Sequence, residues 1–398
     1  MTEWIECTLD KLGEIVGGAT PSTKCEDYYG GSIPWITPKD LSSFKGRYIT
    51  SGERNITEKG LASCSAQMMP KDAVLFTSRA PIGYVAIASQ SVCTNQGFKS
   101  IVVNDKADPL FVYYLLKYNK DAIEAMGSGT TFKEVSGKTM RAVKVRIPLD
   151  VSYQKRIAAV LDSLDTKIEN NERINDNLQQ QAAAIFRSWF VDCAPFGGKA
   201  PDEWKNVTLE DITALISRGI TPKYADDTDQ IVINQKCIRN HTIDLSLART
   251  HTPKVINEKW LRFGDLLINS TGDGTLGRAA QVWFQPKNLT VDSHVTIARP
   301  AKENLIFYIG LWGILHEKEI ESLHTGSTGQ TELPRDRVKA MELRLPDNDT
   351  LDRFNALITP MATAIVANQE ENNRLAALRD AILPKLMSGE IDVSAVQL

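Results

Sequence analysis

The sequence predicts an α+β fold: two tandem α+β domains separated by two long helices, which form an antiparallel coiled coil with pseudo-twofold symmetry. Three observations in the 398-residue chain predict it: an internal repeat, a mixture of short strands and helices within each copy, and a helical stretch at the end of each copy. The corresponding boundaries are 1–150 for the first domain, 151–195 for a central helical arm, 196–347 for the second domain and 348–398 for a C-terminal arm. A chain of this length is too long for one ordinary core.

The repeat consists of six short matches that occur in the same order at offsets of 193 to 201. The first aligns Trp4 with Trp204, and the last aligns two strand-like segments that end in Pro148 and Pro346. Within each copy, short alternating runs such as 73–76 and 99–103 predict strands. Each match is weak alone, but their common order indicates a duplicated α+β domain.

The two arms are predicted from heptad spacing, since apolar residues beyond Pro148 recur in alternating steps of four and three. The first seam contains Ile157, Leu161, Leu164, Ile168, Asn171, Asn175, Leu178, Ala182, Ile185 and Trp189, and adding 197 to each number gives the second seam.

Both seams are interrupted by two asparagines near the middle of an arm of roughly 55 Å. A buried asparagine fixes register because it needs a polar partner, so we expect antiparallel arms in which Asn171 faces Asn372 and Asn175 faces Asn368. The alternative is that these residues lie at a solvated edge of the seam. Pro360 has no equivalent in the first arm and is expected to start or kink the second.

Composition excludes several classes of protein. The net charge of -3 carries no bulk signature of nucleic-acid binding, so any DNA contact must come from local basic patches. No segment approaches the roughly 20 apolar residues of a membrane span, and the N-terminus lacks the features of a secretion signal, so a cytoplasmic location is expected. The six cysteines contain no C-x-x-C pair, which argues against zinc; no metal site is expected.

No catalytic centre is predicted. Gly137-Lys138-Thr139 resembles the end of a phosphate-binding loop but lacks the earlier glycine. The acidic residues of the segment 201–205 are adjacent, which favours a linker turn over a nuclease cluster. All five histidines lie in the second half, so a duplicated histidine-based site is excluded. The chain is therefore expected to direct chemistry carried by other proteins.

The repeat and the arms together resemble the specificity subunit of type I restriction-modification systems. The resemblance covers essentially the whole chain and is strongest at 185–192 (IFRSWFVD) and 373–391, which ends in the run LPKLMSGEI. It implies two target-recognition domains on an antiparallel coiled coil, an asymmetric bipartite DNA target, and no catalysis by this chain alone. It also implies two methyltransferase subunits that use S-adenosylmethionine, and motor-endonuclease subunits that use ATP and Mg²⁺, as partners; this chain would bind none of these cofactors.

DNA-reading residues are expected in loops, where side chains reach bases and phosphates. In the first domain the candidates are Thr20, Ser22, Lys24, Thr37, Lys39, Ser78, Arg79, Ser128, Thr130, Thr131 and Lys133. In the second they are Thr221, Lys223, Tyr224, Asn234, Gln235, Lys236, Asn269, Ser270, Thr271, Asp273, Ser327, Gln330 and Thr331. Arg79 suits guanine or phosphate, and the amides suit adenine. A structural role, such as a turn residue or an ion-paired arginine, is the alternative for each.

Methyltransferase docking is expected on the outer faces of the arms and at their flanks. The apolar residues there are more numerous than a two-helix seam can cover, and the candidates are Phe186, Trp189, Phe190, Leu383 and Leu386. The alternative is that these residues pack against the chain's own domains. Three other functions compete with the whole interpretation: a stand-alone DNA-binding adaptor, a self-contained methyltransferase or nuclease, and a purely structural coiled-coil protein.

Overall fold

The chain folds into two units that repeat one strand order. Unit 1 comprises Met1–Asn170 with Asn372–Leu398, and unit 2 comprises Asn171–Glu371. The structure, a computed structural model, describes residues 2–42, 44–129, 133–272, 274–326 and 331–396. Each long helix contributes one segment to each unit.

Unit 1 is built on a five-stranded sheet of order β2-β9-β6-β7-β4, a three-stranded sheet of order β5-β3-β8 and the pair β1-β10. These strands are Trp4–Thr8 (β1), Gly13–Gly17 (β2), Tyr29–Ile36 (β3), Tyr48–Ile49 (β4), Arg54–Ile56 (β5), Val74–Ser78 (β6), Ile82–Ala88 (β7), Cys93–Thr94 (β8), Lys99–Val103 (β9) and Lys144–Pro148 (β10). The central strand β6 is buried along its whole length, as expected of a strand covered on both faces.

Unit 2 repeats this plan with sheets of order β12-β20-β17-β18 and β16-β13-β19, the pair β11-β21, and an additional hairpin β14-β15. Its strands are Lys205–Thr208 (β11), Thr213–Arg218 (β12), Ile231–Ile233 (β13), Ile238–Arg239 (β14), Thr242–Ile243 (β15), Arg249–Thr250 (β16), Leu266–Asn269 (β17), Ala279–Gln281 (β18), Leu289–Val291 (β19), Val295–Pro300 (β20) and Glu342–Leu345 (β21). The parallel pairs β3-β8 and β13-β19 occupy the same place in the two units. The duplication seen in the sequence is therefore a duplication of topology.

The helices follow local signals. They are Pro38–Ser42 (α1), Glu58–Ala62 (α2), Pro109–Tyr118 (α3), Lys120–Ala125 (α4), Gly137–Arg141 (α5), Val151–Phe186 (α6), Ile306–Leu315 (α7), Glu317–Ser322 (α8), Arg335–Lys339 (α9) and Asn348–Ser388 (α10). Asp108 caps α3 by accepting a hydrogen bond from the Phe111 amide, and Pro109 occupies the first turn. One turn of π-helix, Arg187–Val191, follows α6. No helix among the described residues is long and apolar enough to cross a membrane.

The long helices α6 and α10 run antiparallel within each unit. In unit 1, Arg379 donates to Asp165 at 2.6 Å, and Asn372 donates to the carbonyl of Ile168 at 3.4 Å. In unit 2, the rings of Phe186 and Phe354 lie 6.0 Å apart. Residue numbers along α6 rise from 165 to 168 to 186 as those of the facing residues on α10 fall from 379 to 372 to 354. The predicted α+β class and the antiparallel pairing are confirmed.

The asparagine register is confirmed at one of its two positions. Asn368 donates to the side-chain oxygen of Asn175 at 2.8 Å, and Asn175 is 7% exposed, so this pair lies in the seam and not at a solvated edge. Asn171 is also buried and donates to Glu371 at 2.7 Å. The Asn171–Asn372 pair stays a prediction.

Of the two roles predicted for Pro360, starting or kinking the second arm, the structure excludes the start, and the kink stays a prediction. Helix α10 begins at Asn348, so Pro360 lies about three turns inside it. The first three helical turns pack on the core of unit 2 through Leu351, Phe354 and Ile358, which are each 0–1% exposed. Burial of that apolar face stabilises a helix start that the proline alone would disfavour.

Candidate nucleic-acid interface

Five segments of unit 1 meet at one end of its sheets and are here called loop face 1: 18–24, 37–40, 78–81, 94–97 and 127–134, of which residues 130–132 lie outside the described ranges. The segment 94–97 joins the others. Its Thr94 carbonyl accepts a hydrogen bond from Ala19 at 3.0 Å, its Asn95 amide donates to Ile36 at 2.9 Å, and its Gly97 carbonyl accepts from Ser78 at 2.7 Å. The loops chosen from the sequence are thereby brought together.

Arg79 and Glu134 form an ion pair on loop face 1. The guanidinium lies 3.6 Å from the carboxylate, and the Arg79 side chain is 34% exposed. Lys99 approaches the same carboxylate at 3.5 Å. The backbone of Glu134 exchanges two hydrogen bonds with that of Ser128, which holds these two residues together. An arginine held in this way is oriented but still partly open to a ligand.

The other predicted residues of unit 1 divide by exposure. Ser78 is fully buried and its hydroxyl donates to the Gly97 carbonyl, so its side chain cannot reach DNA and its role is structural. The Thr37 hydroxyl donates to Asp40, and Lys39 pairs with Glu53 at 2.6 Å. The Thr20 hydroxyl donates to Gln96. Ser22, Lys24, Ser128 and Lys133 are exposed, and Thr130 and Thr131 lie outside the described residues.

Loop face 2 is the equivalent set of segments in unit 2: 219–224, 234–236, 269–272, 292–294 and 325–333, of which residues 327–330 lie outside the described ranges. Ser270 repeats the role of Ser78, since its amide donates to the His294 carbonyl at 2.8 Å. Its carbonyl accepts from Leu333 at 2.9 Å, as that of Ser78 accepts from Val135. Equivalent backbone hydrogen bonds, one set in each unit, therefore support the two loop faces.

A hydrogen-bonded cluster of three side chains lies on loop face 2. The Thr271 hydroxyl lies 2.8 Å from Nδ1 of His294 and 3.2 Å from Oε1 of Gln235. Asp292 holds the turn before His294 by accepting its amide at 2.9 Å, and burial raises the pKa of this carboxyl. Gly272 has a φ of +96°, and a Cβ there would lie 2.8 Å from the Gln235 amide oxygen, so glycine permits this packing.

Several predicted residues of unit 2 have structural roles. Asn269 and Ser270 are fully buried and cannot reach DNA; the Asn269 amide donates to the Gln235 carbonyl. Asn234 uses both ends of its amide, on the Leu247 carbonyl and the Lys236 amide. Tyr224 is 41% exposed and stacks 3.5 Å beneath the Arg249 guanidinium. Thr221, Lys223 and Lys236 are exposed and Thr331 is half-buried, while Asp273, Ser327 and Gln330 lie outside the described residues.

Sequence reasoning missed the segments 94–97 and 292–294, which place Gln96 and His294 on the loop faces. Both segments adjoin a strand of only two or three residues, too short to show a pattern. The Arg54–Tyr29 and Arg249–Tyr224 stacks were missed as well. The sequence carried no signal for these stacks, since each arginine lies 25 residues from its tyrosine along the chain.

The apolar residues proposed for partner docking lie largely in the cores of the units. Phe186 is 2% and Leu386 is 1% exposed, so neither offers surface to a partner, and for these two the alternative of packing on the chain's own domain holds. Trp189, Phe190 and Leu383 are half-buried against the same cores. No group of three or more metal-ligating side chains occurs in the part of the chain that the structure describes.

Comparisons with known proteins agree with this architecture. A family model described as a type I restriction modification DNA specificity domain matches residues 1–180. The chain is 33% identical over 420 residues to the type I restriction enzyme MjaIX specificity subunit of Methanocaldococcus jannaschii, covering 98% of this chain and 94% of that protein. It is 29% identical over 167 residues, 40% of each chain, to the EcoR124I/EcoR124II specificity subunit of Escherichia coli. Its fold is similar to the crystal structure of a type I restriction-modification S subunit from M. genitalium, with a TM-score of 0.58 and 15% identity over 97% of this chain and 96% of that one.

Proposed function

The chain belongs to the family of type I restriction enzyme specificity subunits, and from that premise we propose that it recognises an asymmetric bipartite DNA target and directs its modification and cleavage by partner subunits. One observation carries the proposal: the two loop faces have equivalent backbone hydrogen bonds but different side chains. Ser78 connects the segments of loop face 1, and Ser270 connects those of loop face 2, through equivalent backbone hydrogen bonds. The next residue is Arg79 in unit 1 and Thr271 in unit 2, so the two faces should read different half-sites.

We assign residues 1–150 and 196–347 as the two target-recognition domains, and 151–195 and 348–398 as the central and C-terminal helical arms. Double-stranded DNA would contact the exposed members of the loop faces. The basic side chains Lys24, Lys133, Lys223 and Lys236 suit phosphates, which position the protein without reading sequence. Arg79 and Gln235 suit base edges, because a guanidinium or an amide can pair with a purine in the major groove.

The chemistry belongs to the partners in this proposal. Two methyltransferase subunits would transfer the methyl group of S-adenosylmethionine to adenine N6, and motor-endonuclease subunits with ATP and Mg²⁺ would cleave unmodified DNA in the cytoplasm. As a specificity subunit, the chain itself is non-catalytic. Trp189, Phe190 and Leu383 remain the docking candidates, since their side chains are only partly covered by their own units.

The experiment is to co-express the chain with its methyltransferase subunit and map methylated adenines in the host genome. A single bipartite motif with unlike halves is expected, and it should vanish when the gene for this chain is deleted. As a control, the purified chain alone is incubated with labelled S-adenosylmethionine and DNA; methyl transfer without a partner would contradict the proposal.

A further inference from the structure

His294 is the residue on which this inference depends, and it lies outside the segments that the sequence singled out. Its backbone is held on both sides, because its amide donates to Asp292 at 2.9 Å and its carbonyl accepts from Ser270 at 2.8 Å. Its imidazole is exposed. A fixed backbone beneath an exposed side chain is the arrangement needed for recognition, since the side chain is placed without being covered.

The imidazole orientation is set by the Thr271 hydroxyl. That hydroxyl has one proton and two neighbours, Nδ1 of His294 at 2.8 Å and Oε1 of Gln235 at 3.2 Å. The amide oxygen can only accept, so the hydroxyl proton goes to Gln235 and the hydroxyl oxygen accepts from Nδ1–H of His294. In the neutral imidazole, Nε2 then has a free lone pair.

Gln235 provides the complementary group. Its oxygen is engaged by Thr271, and within the described residues its Nε2 amide nitrogen has no hydrogen-bond acceptor. The cluster therefore presents an acceptor on His294 and a donor on Gln235, held together by one threonine. In the major groove, adenine presents the converse pair: an amino donor at N6 and an acceptor at N7.

Among its described residues, unit 1 has no equivalent of this cluster at the matching positions. In unit 1 the Ser78 amide donates to the carbonyl of Gly97, whereas in unit 2 the Ser270 amide donates to that of His294. Gly97 has no side chain. A Cβ at Gly97 would lie 2.7 Å from Pro38, so a larger residue would have to displace that loop. In place of Thr271, unit 1 has Arg79, paired with Glu134. The cluster therefore distinguishes the two loop faces.

We propose that His294 and Gln235, oriented by Thr271, read one adenine in the half-site bound by unit 2, with His294 Nε2 accepting from N6 and Gln235 donating to N7. This inference rests on the proposed function and deepens it. The competing role for His294 is a phosphate contact, which would carry no sequence information.

The test uses the full chain in complex with its methyltransferase subunit and sequences the methylated motif. In His294→Ala the half-site of unit 2 should become degenerate at one A·T position, with discrimination there reduced roughly 5- to 150-fold. Thr271→Val keeps the shape but removes the orienting hydroxyl, and it should relax the same position. Thr271→Ser keeps the hydroxyl and should leave the motif unchanged. His241→Ala, which alters another partly exposed histidine of unit 2, is the matched control and should also leave it unchanged.

The outcomes separate the two levels of the proposal. If the unaltered complex gives no bipartite motif, the proposed function fails. If it gives one and His294→Ala leaves both halves intact, or relaxes only the other half, this inference fails while the function stands. Uniform weakening at all positions, with a smaller salt dependence of binding, would identify a phosphate contact and also overturn it.

Discussion

Units 1 and 2 share one strand order but attach their globular parts to the long helices by different chemistry. In unit 1, Asp165 on α6 is only 8% exposed in its side chain and accepts from Arg379 on α10 at 2.6 Å. It also accepts from the Tyr114 hydroxyl at 2.8 Å, and burial together with this carboxylate raises the pKa of Tyr114. The repeat offset of 197 places alanines, Ala362 and Ala182, at the positions of Asp165 and Arg379 in unit 2.

Unit 2 has these alanines in place of the charged pair, and a cluster of aromatic rings packs between its domain and its long helices. Phe354 is fully buried, and its ring lies 6.0 Å from Phe186, 5.9 Å from Trp189 and 4.8 Å from Phe190. Ala182 and Ala362 are 0% and 1% exposed in the same core. The junction of domain and arm thus contains a buried ion pair in unit 1 and an aromatic cluster, at other positions of the repeat, in unit 2. A buried ion pair tolerates loss of one member poorly, whereas an aromatic core is most sensitive to loss of volume.

Removal of volume from unit 2 should have the largest effect on stability. Phe354→Ala should lower the free energy of unfolding by about 4 kcal/mol, because the cavity left among three rings cannot collapse. Hydrogen exchange should accelerate in unit 2 first. Phe354→Leu is the matched control, with a cost below about 1.5 kcal/mol. Equal costs for the two variants would show that the cluster is not close-packed.

Removal of one charge from unit 1 should come next. Asp165→Ala leaves Arg379 without its buried partner and should lower the free energy of unfolding by about 3 kcal/mol. A larger loss is not expected, because Arg379 also contacts Asp380 at 2.8 Å. The double variant Asp165→Ala with Arg379→Ala reproduces the alanine pair of unit 2 and should cost less than Asp165→Ala alone. Urea unfolding of the wild type, both single variants and the double variant measures this coupling. Additive costs would mean that the pair is not coupled, and the contrast between the units would fail.

The Asn175–Asn368 pair of unit 2 should likewise tolerate the loss of both members better than the loss of one, with a smaller change in stability. Asn175→Leu leaves the Asn368 amide without its acceptor and should cost about 2 kcal/mol, whereas the double leucine variant should be close to neutral. Thermal unfolding of the three proteins measures the stability. Size-exclusion chromatography with light scattering tests whether the double variant pairs its arms incorrectly, since a polar seam residue also fixes register.

The helical arms could be predicted because their information is local. Heptad spacing identified Ile157, Leu161 and Ile168 as seam residues, and the offset of 197 even placed Arg379 in the seam. Its partner Asp165 lies one position beyond the seam residue Leu164, so periodicity gave no sign of it. The ion pair depends on the distance between two helix faces, which a one-dimensional pattern does not contain.

The loop faces were predictable as loops but not residue by residue. Ser78 and Ser270 follow strand-like runs and look like loop residues, yet both are buried because distant segments bond to their backbones on both sides. His294 shows the converse. Its exposure and its position beside Thr271 follow from the strand Leu289–Val291, which pairs in parallel with Ile231–Ile233. Such long-range pairing decides which polar side chains can reach a ligand.

Histidine separates the two units once more and should produce the smallest effect. All five histidines lie in unit 2, and one of them, His241, pairs there with Glu317. A hydrogen bond and the charge of Glu317, 3.2 Å away, raise the pKa of His241 above its usual value of 6.5. A raised folded-state pKa means that this stabilisation is fully present below pH 6.5 and is lost as the pH rises through the folded value. Hydrogen exchange, corrected for its intrinsic pH dependence, should therefore show unit 2 of the wild type loosening between pH 6 and 8 more than unit 2 of His241→Gln. Unit 1 serves as the internal reference; an equal change in both proteins would remove the Glu317 pair as its cause.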